Sequence, residues 1–150
     1  MQKPTNELSQ EMVDSLQGKT IVLLNLFDRD SGQAYTSALS WVYGVDRRTI
    51  RFAIDSKSDA IAMIDKDPRI NLAFIGLESV YNISGKAAVK TRVTENISLK
   101  MAVVEVKVEE VRDIIFYGGK IVTDPAFIKT YKEELIVKLD NEIKGVIFGE

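Results

Sequence analysis

The sequence predicts a mainly β domain with flanking helices, and three observations lead to this prediction. Apolar and polar residues alternate along several segments, such as TIRFAID, which is typical of strands with one buried face. Near both ends of the chain, apolar residues instead recur four apart, which favours amphipathic helices. No linker-like stretch divides the 150 residues, so we expect a single domain over residues 1–150.

A helix and a strand are expected first. The helix is predicted between Thr5 and Gln17, and Gly18 can end it. Its apolar face carries Leu8, Met12 and Leu16. The run KTIVLLNLF that follows is apolar on both faces, which indicates a strand buried on two sides or a barrel strand against a dimer partner. The turn DRDSGQ then predicts an antiparallel return, and its aspartates are explained by turn geometry rather than by a metal.

The return strand, AYTSALSWVY, has one bulky face and one small face. The bulky face carries Tyr35, Ser37, Leu39, Trp41 and Tyr43, and the small face carries Thr36, Ala38, Ser40 and Val42. Small and hydroxylated residues leave room for a flat ligand against the backbone. The alternative, which the pattern by itself favours, is that this face meets bulky neighbours across the sheet.

The middle of the chain predicts a strand, a short helix and three further strands. TIRFAID ends at Asp55, Ser56 or Ser58 can cap the helix, and Pro68 closes it. The inward pair of this helix is Ile61 and Ile64. The three strands that follow are INLAFIG, VYNISGKAAVKTRV and LKMAVVEVKVEEV.

A final helix is predicted from Asp124 as N-cap and Pro125 as first helical residue. Its apolar stripe would be Phe127, Tyr131, Leu135 and Leu139. The tail GVIFGE either extends this helix or docks as a short strand.

Composition excludes several kinds of chemistry. The chain has no cysteine and no histidine, which excludes disulfides, thiolate zinc sites, a Ser-His-Asp triad and histidine-ligated metal or haem. The net charge of −2 argues against a broad nucleic-acid surface. The polar N-terminus lacks a secretory signal and no apolar run could span a bilayer, so we expect a cytoplasmic protein without a membrane segment.

Residues 38 to 74 resemble, without a gap in spacing, the pyridoxamine 5'-phosphate oxidase-like flavin-binding superfamily. The family's R-x-V-L-L-K falls on residues 38–43, its F-Y-T-N on 52–55, its S-R-K on 58–60 and its N-P-R-V on 67–70. A later L-E-x-x-V-x-x-x-G is matched in outline by Leu77, Glu78 and Gly85. The resemblance implies a six- to seven-stranded antiparallel split β-barrel with N-terminal and C-terminal helices and one short inserted helix.

The same resemblance implies an FMN site in a groove between the two subunits of a homodimer. The implied cofactor-binding residues are Ala38, Leu39, Ser40, Trp41, Ala53, Ile54, Lys57 and Ser58. Trp41 is either an aromatic platform for the flavin ring or a core residue covering the dimer seam.

At the phosphate end the chain departs from the family pattern. Ala38 stands for the family's arginine and Tyr43 for its lysine, and the two cations of S-R-K are replaced by Asp59 and Ala60. A desolvated phosphate needs cations or convergent N–H donors. Lys57, with the hydroxyls of its two serine neighbours, could supply part of this. The alternative for Ser56-Lys57-Ser58 is a capped surface turn.

The resemblance therefore implies an FMN-dependent oxidoreductase acting on a small molecule that the sequence does not specify, with no catalytic residue assigned. The C-terminal arginine and histidine motif of vitamin B6 oxidases is absent, so the chain is more similar to the small members grouped with general stress proteins. Haem is not expected, because haem-degrading relatives need a histidine ligand. Two alternatives remain: a cofactor-free dimer that serves as a binding or interaction module, and a deazaflavin or other nucleotide in the same groove.

Overall fold

The computed structural model describes residues 3–149 as one seven-stranded antiparallel sheet with three helices, which confirms the predicted fold class. The first elements along the chain are α1 (Gln10–Ser15), β1 (Val22–Phe27), β2 (Ala34–Leu39), β3 (Val42–Asp46) and β4 (Thr49–Asp55). The remaining elements are α2 (Asp59–Lys66), β5 (Arg69–Gly76), β6 (Ser79–Thr91), β7 (Met101–Asp113) and α3 (Glu133–Phe148).

The sheet curls because its two edge strands are neighbours in sequence. The strand order is β2-β1-β5-β6-β7-β4-β3, so β2 and β3 lie at opposite edges. Only Ser40 and Trp41 separate these strands along the chain. A sheet whose first and last strands are joined by two residues must bend until its edges meet, as in a barrel.

The sequence predicted one strand through Tyr43, and this prediction was wrong. The chain turns at Ser40 and Trp41, and the inside-outside alternation shifts by one residue there. Val42 pairs with Phe52 and is buried inside the barrel, whereas Tyr43 lies on the outer side. The predicted bulky and small faces therefore hold only as far as Leu39.

The barrel interior is the larger of two hydrophobic clusters. Among its fully buried side chains are Leu24, Phe52, Leu72, Ile83 and Val104, one from each of five strands. The helical residues predicted to face inward, Leu8, Met12, Leu16, Ile61 and Ile64, are buried against them. The alternation of β4, β6 and β7 thus predicted their part of this core correctly.

The first helix is shorter than predicted, because the chain before it is extended. The backbone of Thr5 exchanges hydrogen bonds with Val111 of β7, and the Leu8 amide donates to the Arg47 carbonyl. The Ser9 hydroxyl then accepts from the Met12 amide at 3.2 Å and starts the helix. The helix ends at Ser15 with Leu16 as C-cap, so the predicted stop at Gly18 was wrong, although Gly18 does have the positive φ, +82°, that favours glycine.

A second hydrophobic cluster lies on the outer side of β3, β4 and β7, underneath α3. Its buried members are Tyr43, Ala53, Met101, Val103, Ile143 and Ile147. Because of this cover, β7 is buried on both faces from Met101 to Val104. We call this set the outer cluster.

The predicted start of the last helix at Asp124 and Pro125 was wrong, since α3 begins at Glu133. Phe127 and Tyr131 therefore lie in a segment without regular structure rather than on a helical stripe. The Lys129 ammonium donates to Asp140 of α3 at 2.6 Å, so this segment runs beside the helix and does not continue its axis. The tail extends the helix through Phe148.

Gly85, the glycine matched to the family pattern, lies at a bulge in the pairing of β6 with β7. A Cβ atom at this position would come within 2.2 Å of the Lys107 carbonyl oxygen. The glycine is therefore explained by the close approach of two backbones.

Candidate functional site

The predicted cofactor residues come from three stretches that adjoin one another: the β2–β3 joint with Ala38–Trp41, the end of β4, and the turn before α2. The Ala53 amide donates to the Trp41 carbonyl at 3.0 Å, which ties the first stretch to the second. The Ser58 amide donates to the Asp55 carbonyl at 2.9 Å, which holds the turn against the end of β4. Residues distant in sequence are thus adjacent along one side of the barrel.

The side chains of these residues do not all share one surface. Ile54 points into the barrel core, and Leu39 packs against the same core. Ala53 faces the opposite way, into the outer cluster, and Ala38 is exposed on the outer side of β2. Ile54 and Leu39 can therefore contact a surface ligand only through their backbone.

Trp41 is half-buried and held by two charged side chains. Its indole Nε1 donates to the Asp140 carboxylate at 2.9 Å. The ammonium of Lys129 lies 4.5 Å from the centre of the Trp41 ring and donates to the same carboxylate. The side chain of Lys129 is only 15% exposed, so this cation–π contact is largely shielded from water. Trp41 thereby anchors α3 to the joint between β2 and β3.

Sequence reasoning missed Asp140 and Lys129 as partners of Trp41. Asp140 lies 99 residues from Trp41 along the chain, and no local pattern connects the two. The only available signal was an acidic residue beside Leu139 of the apolar stripe, which by itself indicates no more than a helix surface.

A cavity of about 510 Å³ adjoins this arrangement, between α3 and the irregular segment before it. It is lined by Gly18, Lys19, Pro125, Ala126, Phe127, Lys129, Ile136 and Asp140. Its walls are mostly apolar, with two lysines and one carboxylate. The start of α3 is thus less closely packed than its end.

The outer face around Ala53 is filled by α3. Ile143 and Ile147 are completely buried, and Phe148 contacts the edge of the Tyr43 ring at a centroid distance of 5.8 Å. Burial, followed by the negative charge of Asp140, raises the pKa of Tyr43 to about 12. In this arrangement α3 and a flat ligand against Ala53 exclude each other, so a flavin ring does not fit there while α3 is docked.

The turn predicted to hold a phosphate uses its own amides. The Lys57 amide donates to the Asp55 carboxylate at 2.8 Å, and the Ser56 amide donates to the Lys100 carbonyl at 3.1 Å. The Ser58 hydroxyl accepts from the Ala60 amide at 3.2 Å, as an N-cap residue does. What this turn offers a phosphate is therefore the exposed ammonium of Lys57, together with the hydroxyl of Ser56.

Asp67, Pro68 and Arg69, the match to the family's N-P-R, make the corner between α2 and β5. Asp67 is buried and accepts from the Arg69 side chain through Nε at 3.0 Å and Nη2 at 2.7 Å, and from the Arg69 amide. These hydrogen bonds, the side-chain ones first, lower the pKa of Asp67 to about 2. The Pro68 carbonyl accepts from Ala87 of β6. This motif holds the fold together at the corner.

Apart from Arg69 at the start of β5, the outward positions of β2, β1 and β5 carry no charge. They are Ala34, Thr36 and Ala38 on β2, Leu23, Asn25 and Phe27 on β1, and Asn71, Ala73 and Ile75 on β5. Leu23 is 43% exposed and Phe27 is 47% exposed. The prediction that β1 is buried on two sides was therefore wrong for the single chain, and its alternative, a dimer partner, stays a prediction. We call this surface the uncharged face.

Within residues 3–149, no three acidic, histidine or cysteine side chains are grouped so that they could hold a metal ion. Over the same span, no helix is long and apolar enough to cross a membrane.

Comparisons with solved structures identify similar folds. HupZ from Group A Streptococcus is 18% identical, with a TM-score of 0.60 over 77% of this chain and 99% of its own. A candidate pyridoxamine 5'-phosphate oxidase from Lactobacillus delbrueckii is 18% identical, with a TM-score of 0.60 over 72% of this chain and 95% of its own. General Stress Protein 26 from Bacillus anthracis is 12% identical, with a TM-score of 0.54 over 68% and 90%.

No protein-family model and no curated protein sequence matches the chain. The likeness therefore lies in the fold, and it extends over nearly the whole length of each of these structures. The chain has the fold of the pyridoxamine 5'-phosphate oxidase-like split-barrel proteins.

Proposed function

We propose that this chain is a flavin-binding protein that works as a homodimer, with FMN beside Trp41 in a groove between two subunits. The observation that carries the proposal is the hydrogen bond from Ala53 to Trp41. It brings together the two stretches that the family resemblance assigns to the flavin, in a chain with the matching fold.

In this proposal, different side chains are available to the isoalloxazine ring and to the phosphate of FMN. Trp41 and Ser40 are partly accessible, and the indole ring can stack on an isoalloxazine. At the other end, Lys57 offers one ammonium, while the neighbouring Asp55 and Asp59 are exposed and acidic. We therefore expect weaker phosphate binding than in relatives with several cations at these positions.

We further propose that the bound protein is an oxidoreductase acting on a small molecule in the cytoplasm. A bound flavin would supply the redox chemistry, and the chain would supply position and exclusion of water. Two solved structures of similar fold are described as an F420 reductase, at 16% identity and a TM-score of 0.53, and as a candidate pyridoxamine 5'-phosphate oxidase. These descriptions support the class of reaction only by analogy of fold.

The uncharged face supports the homodimer. Leu23, Phe27 and Ile75 are each more than a third exposed, and the positions between them are small or amide-bearing. Contiguous apolar surface without charge is typical of faces that are covered by a partner, and a two-fold dimer places the same surface on both sides. A second copy of this chain is therefore the occupant we propose.

Light scattering tests the dimer, with Leu23→Glu as the disrupting change. Two charges facing each other across a dry interface would oppose association, so we expect the mass to fall from that of two chains to that of one. Val93→Glu is the matched control, because Val93 is 50% exposed and lies outside the uncharged face. A native protein that already has the mass of one chain would remove the dimer from the proposal.

The flavin is tested by the absorbance spectrum of the purified protein and by titration with FMN. We expect the flavin bands, or saturable quenching of FMN fluorescence, and mass spectrometry of the released ligand distinguishes FMN from a deazaflavin or another nucleotide. Protein that is colourless and does not affect FMN fluorescence would contradict the proposal.

Lys57→Ala tests the phosphate end. Loss of one charge-assisted hydrogen bond should weaken FMN binding by about 1 to 3 kcal/mol, and riboflavin, which has no phosphate, should be unaffected. The control is Lys107→Ala, because Lys107 is also exposed but lies beside Thr49, at the opposite end of β4 from Asp55. If Lys57→Ala and Lys107→Ala changed the affinity for FMN equally, Lys57 would not be part of the phosphate site.

A cofactor-free binding or interaction module is the second candidate, and one observation favours it. The groove beside Ala53 contains Ile143, Ile147 and the Tyr43 ring, as this alternative expects of a groove filled by bulky side chains. Titration with FMN distinguishes the two candidates. The cofactor-free module predicts that FMN does not bind and that Lys57→Ala changes no ligand affinity.

A further inference from the structure

The helix α3 lies on the face where the flavin is proposed to bind. Ala53 is one of the predicted cofactor residues, and it is only 4% exposed because Ile143 and Ile147 pack over it. The same helix carries Asp140, which holds the indole nitrogen of Trp41. Ligand access to both residues therefore depends on where α3 is.

The contacts that hold α3 are few and lie mostly at its edges. Its buried residues are Leu139, Ile143 and Ile147. Four hydrogen bonds add to them: Asp140 accepts from Trp41 and from Lys129, the Ile147 carbonyl accepts from the Arg51 guanidinium at 2.7 Å, and Glu142 accepts from the Ser98 amide at 3.2 Å. Unlike α1 and α2, whose N-cap serines accept a backbone hydrogen bond, α3 has Lys132 as N-cap and no side-chain cap.

A long irregular segment connects α3 to the barrel. Residues 114–132, between β7 and α3, have no regular structure. Apolar side chains of this segment are exposed, among them Tyr117 at 97% and Val122 at 90%, so it is weakly packed. The cavity of about 510 Å³ separates part of it from α3. Few buried contacts and low packing are features of elements that open locally.

We propose that α3 is a displaceable cover of the flavin site, so that docking of α3 and binding of FMN are mutually exclusive. This inference rests on the proposed function. When α3 leaves, it releases the Trp41 ring and uncovers Ala53 and Tyr43, which together form a surface against which a flat ring can lie. The measured affinity for FMN is then the intrinsic affinity reduced by the fraction of molecules in which α3 is undocked.

The cover can be tightened and loosened by changes away from the ligand. Lys132→Ser gives α3 the N-cap hydroxyl that it lacks, and Lys132→Ala removes the same charge without adding a cap. Asp140→Ala removes the partner of Trp41 and Lys129, and Asn141→Ala changes the adjacent exposed residue. Each change is thus paired with a control on the same helix.

The experiment is titration of these four full-length variants with FMN, followed by quenching of FMN fluorescence. We expect Lys132→Ser to bind FMN about five-fold more weakly than Lys132→Ala. Asp140→Ala should bind FMN about five-fold more tightly than Asn141→Ala. Trp41 is the single tryptophan of the chain, so its emission without ligand reports the docking of α3 in each variant.

Opposite changes in affinity from the two substitutions would establish the cover. If all four variants bind FMN equally while Trp41 emission shows that docking has changed, the cover is refuted and the flavin site stands. If no variant binds FMN, the flavin proposal itself fails and the cover fails with it.

Discussion

The barrel interior and the outer cluster bury similar side chains but are held in place differently. The interior is enclosed by a hydrogen-bonded sheet, and Phe52 at its centre is fully buried. The outer cluster lies between β3, β4 and β7 on one side and α3 on the other. The helix α3 is not part of the hydrogen-bonded sheet. We therefore expect the sheet to retain its shape without α3, whereas the outer cluster includes Ile143 and Ile147 of α3 and cannot form without that helix. Burial alone therefore does not tell which contacts are essential to the fold.

Phe52→Ala should give the largest loss of stability. The substitution leaves a cavity in the barrel interior, from which no surrounding strand can move away. We expect the free energy of unfolding to fall by about 3 to 5 kcal/mol. In urea titrations, far-UV circular dichroism and Trp41 fluorescence should shift together. Transitions that separate in this variant would contradict a cooperative barrel.

Ile143→Ala should cost less, about 2 kcal/mol or below, even though Ile143 is equally buried. The loss in the free energy of unfolding cannot exceed the free energy with which α3 docks on the barrel. A larger destabilisation would only undock the helix, and the barrel would remain folded. Trp41 fluorescence should then change at lower urea than the circular dichroism of the sheet. A loss as large as that of Phe52→Ala, with coincident transitions, would show that the two clusters unfold as one.

High pH should weaken the outer cluster. The pKa of Tyr43 is raised from 10.0 to about 12 in the folded protein, so folding favours the protonated phenol. The contribution of the protonated Tyr43 phenol to the free energy of unfolding is complete below pH 10 and is lost as the pH rises to 12. This contribution is about 2 to 3 kcal/mol at most. Tyr43→Phe removes this titration and is the control for lysines that titrate in the same range. A pH dependence unchanged in Tyr43→Phe would exclude Tyr43 as its source.

The sequence predicted most of the barrel, because the alternation that determines which residues face inward can be seen within each short segment. Alternation along β4, β6 and β7 predicted which residues face inward. The spacing of Leu8, Met12 and Leu16 predicted three buried residues, although only Met12 lies within the first helix. The turn at Ser40 and Trp41 was missed, because a strand that changes direction keeps its apolar composition.

The candidate site was predicted less completely, because its decisive contacts are not local. The resemblance assigns Trp41 and Ala53 to the cofactor, which stays a prediction; the structure shows a hydrogen bond between their backbones. The cover by α3 was not expected. It includes the contact of Asp140 with Trp41 across 99 residues and the contact of Lys129, in the segment before Glu133, with the same carboxylate.

Native-state hydrogen exchange of the ligand-free protein tests most directly whether α3 can leave an intact barrel. The account predicts that amides of α3 exchange through a partial opening, with a lower free energy and a smaller urea dependence than amides of β4 and β7. Adding FMN should speed exchange in α3, because the ligand selects molecules in which the helix is undocked. Exchange of α3 and β4 with the same free energy and the same urea dependence would contradict the account.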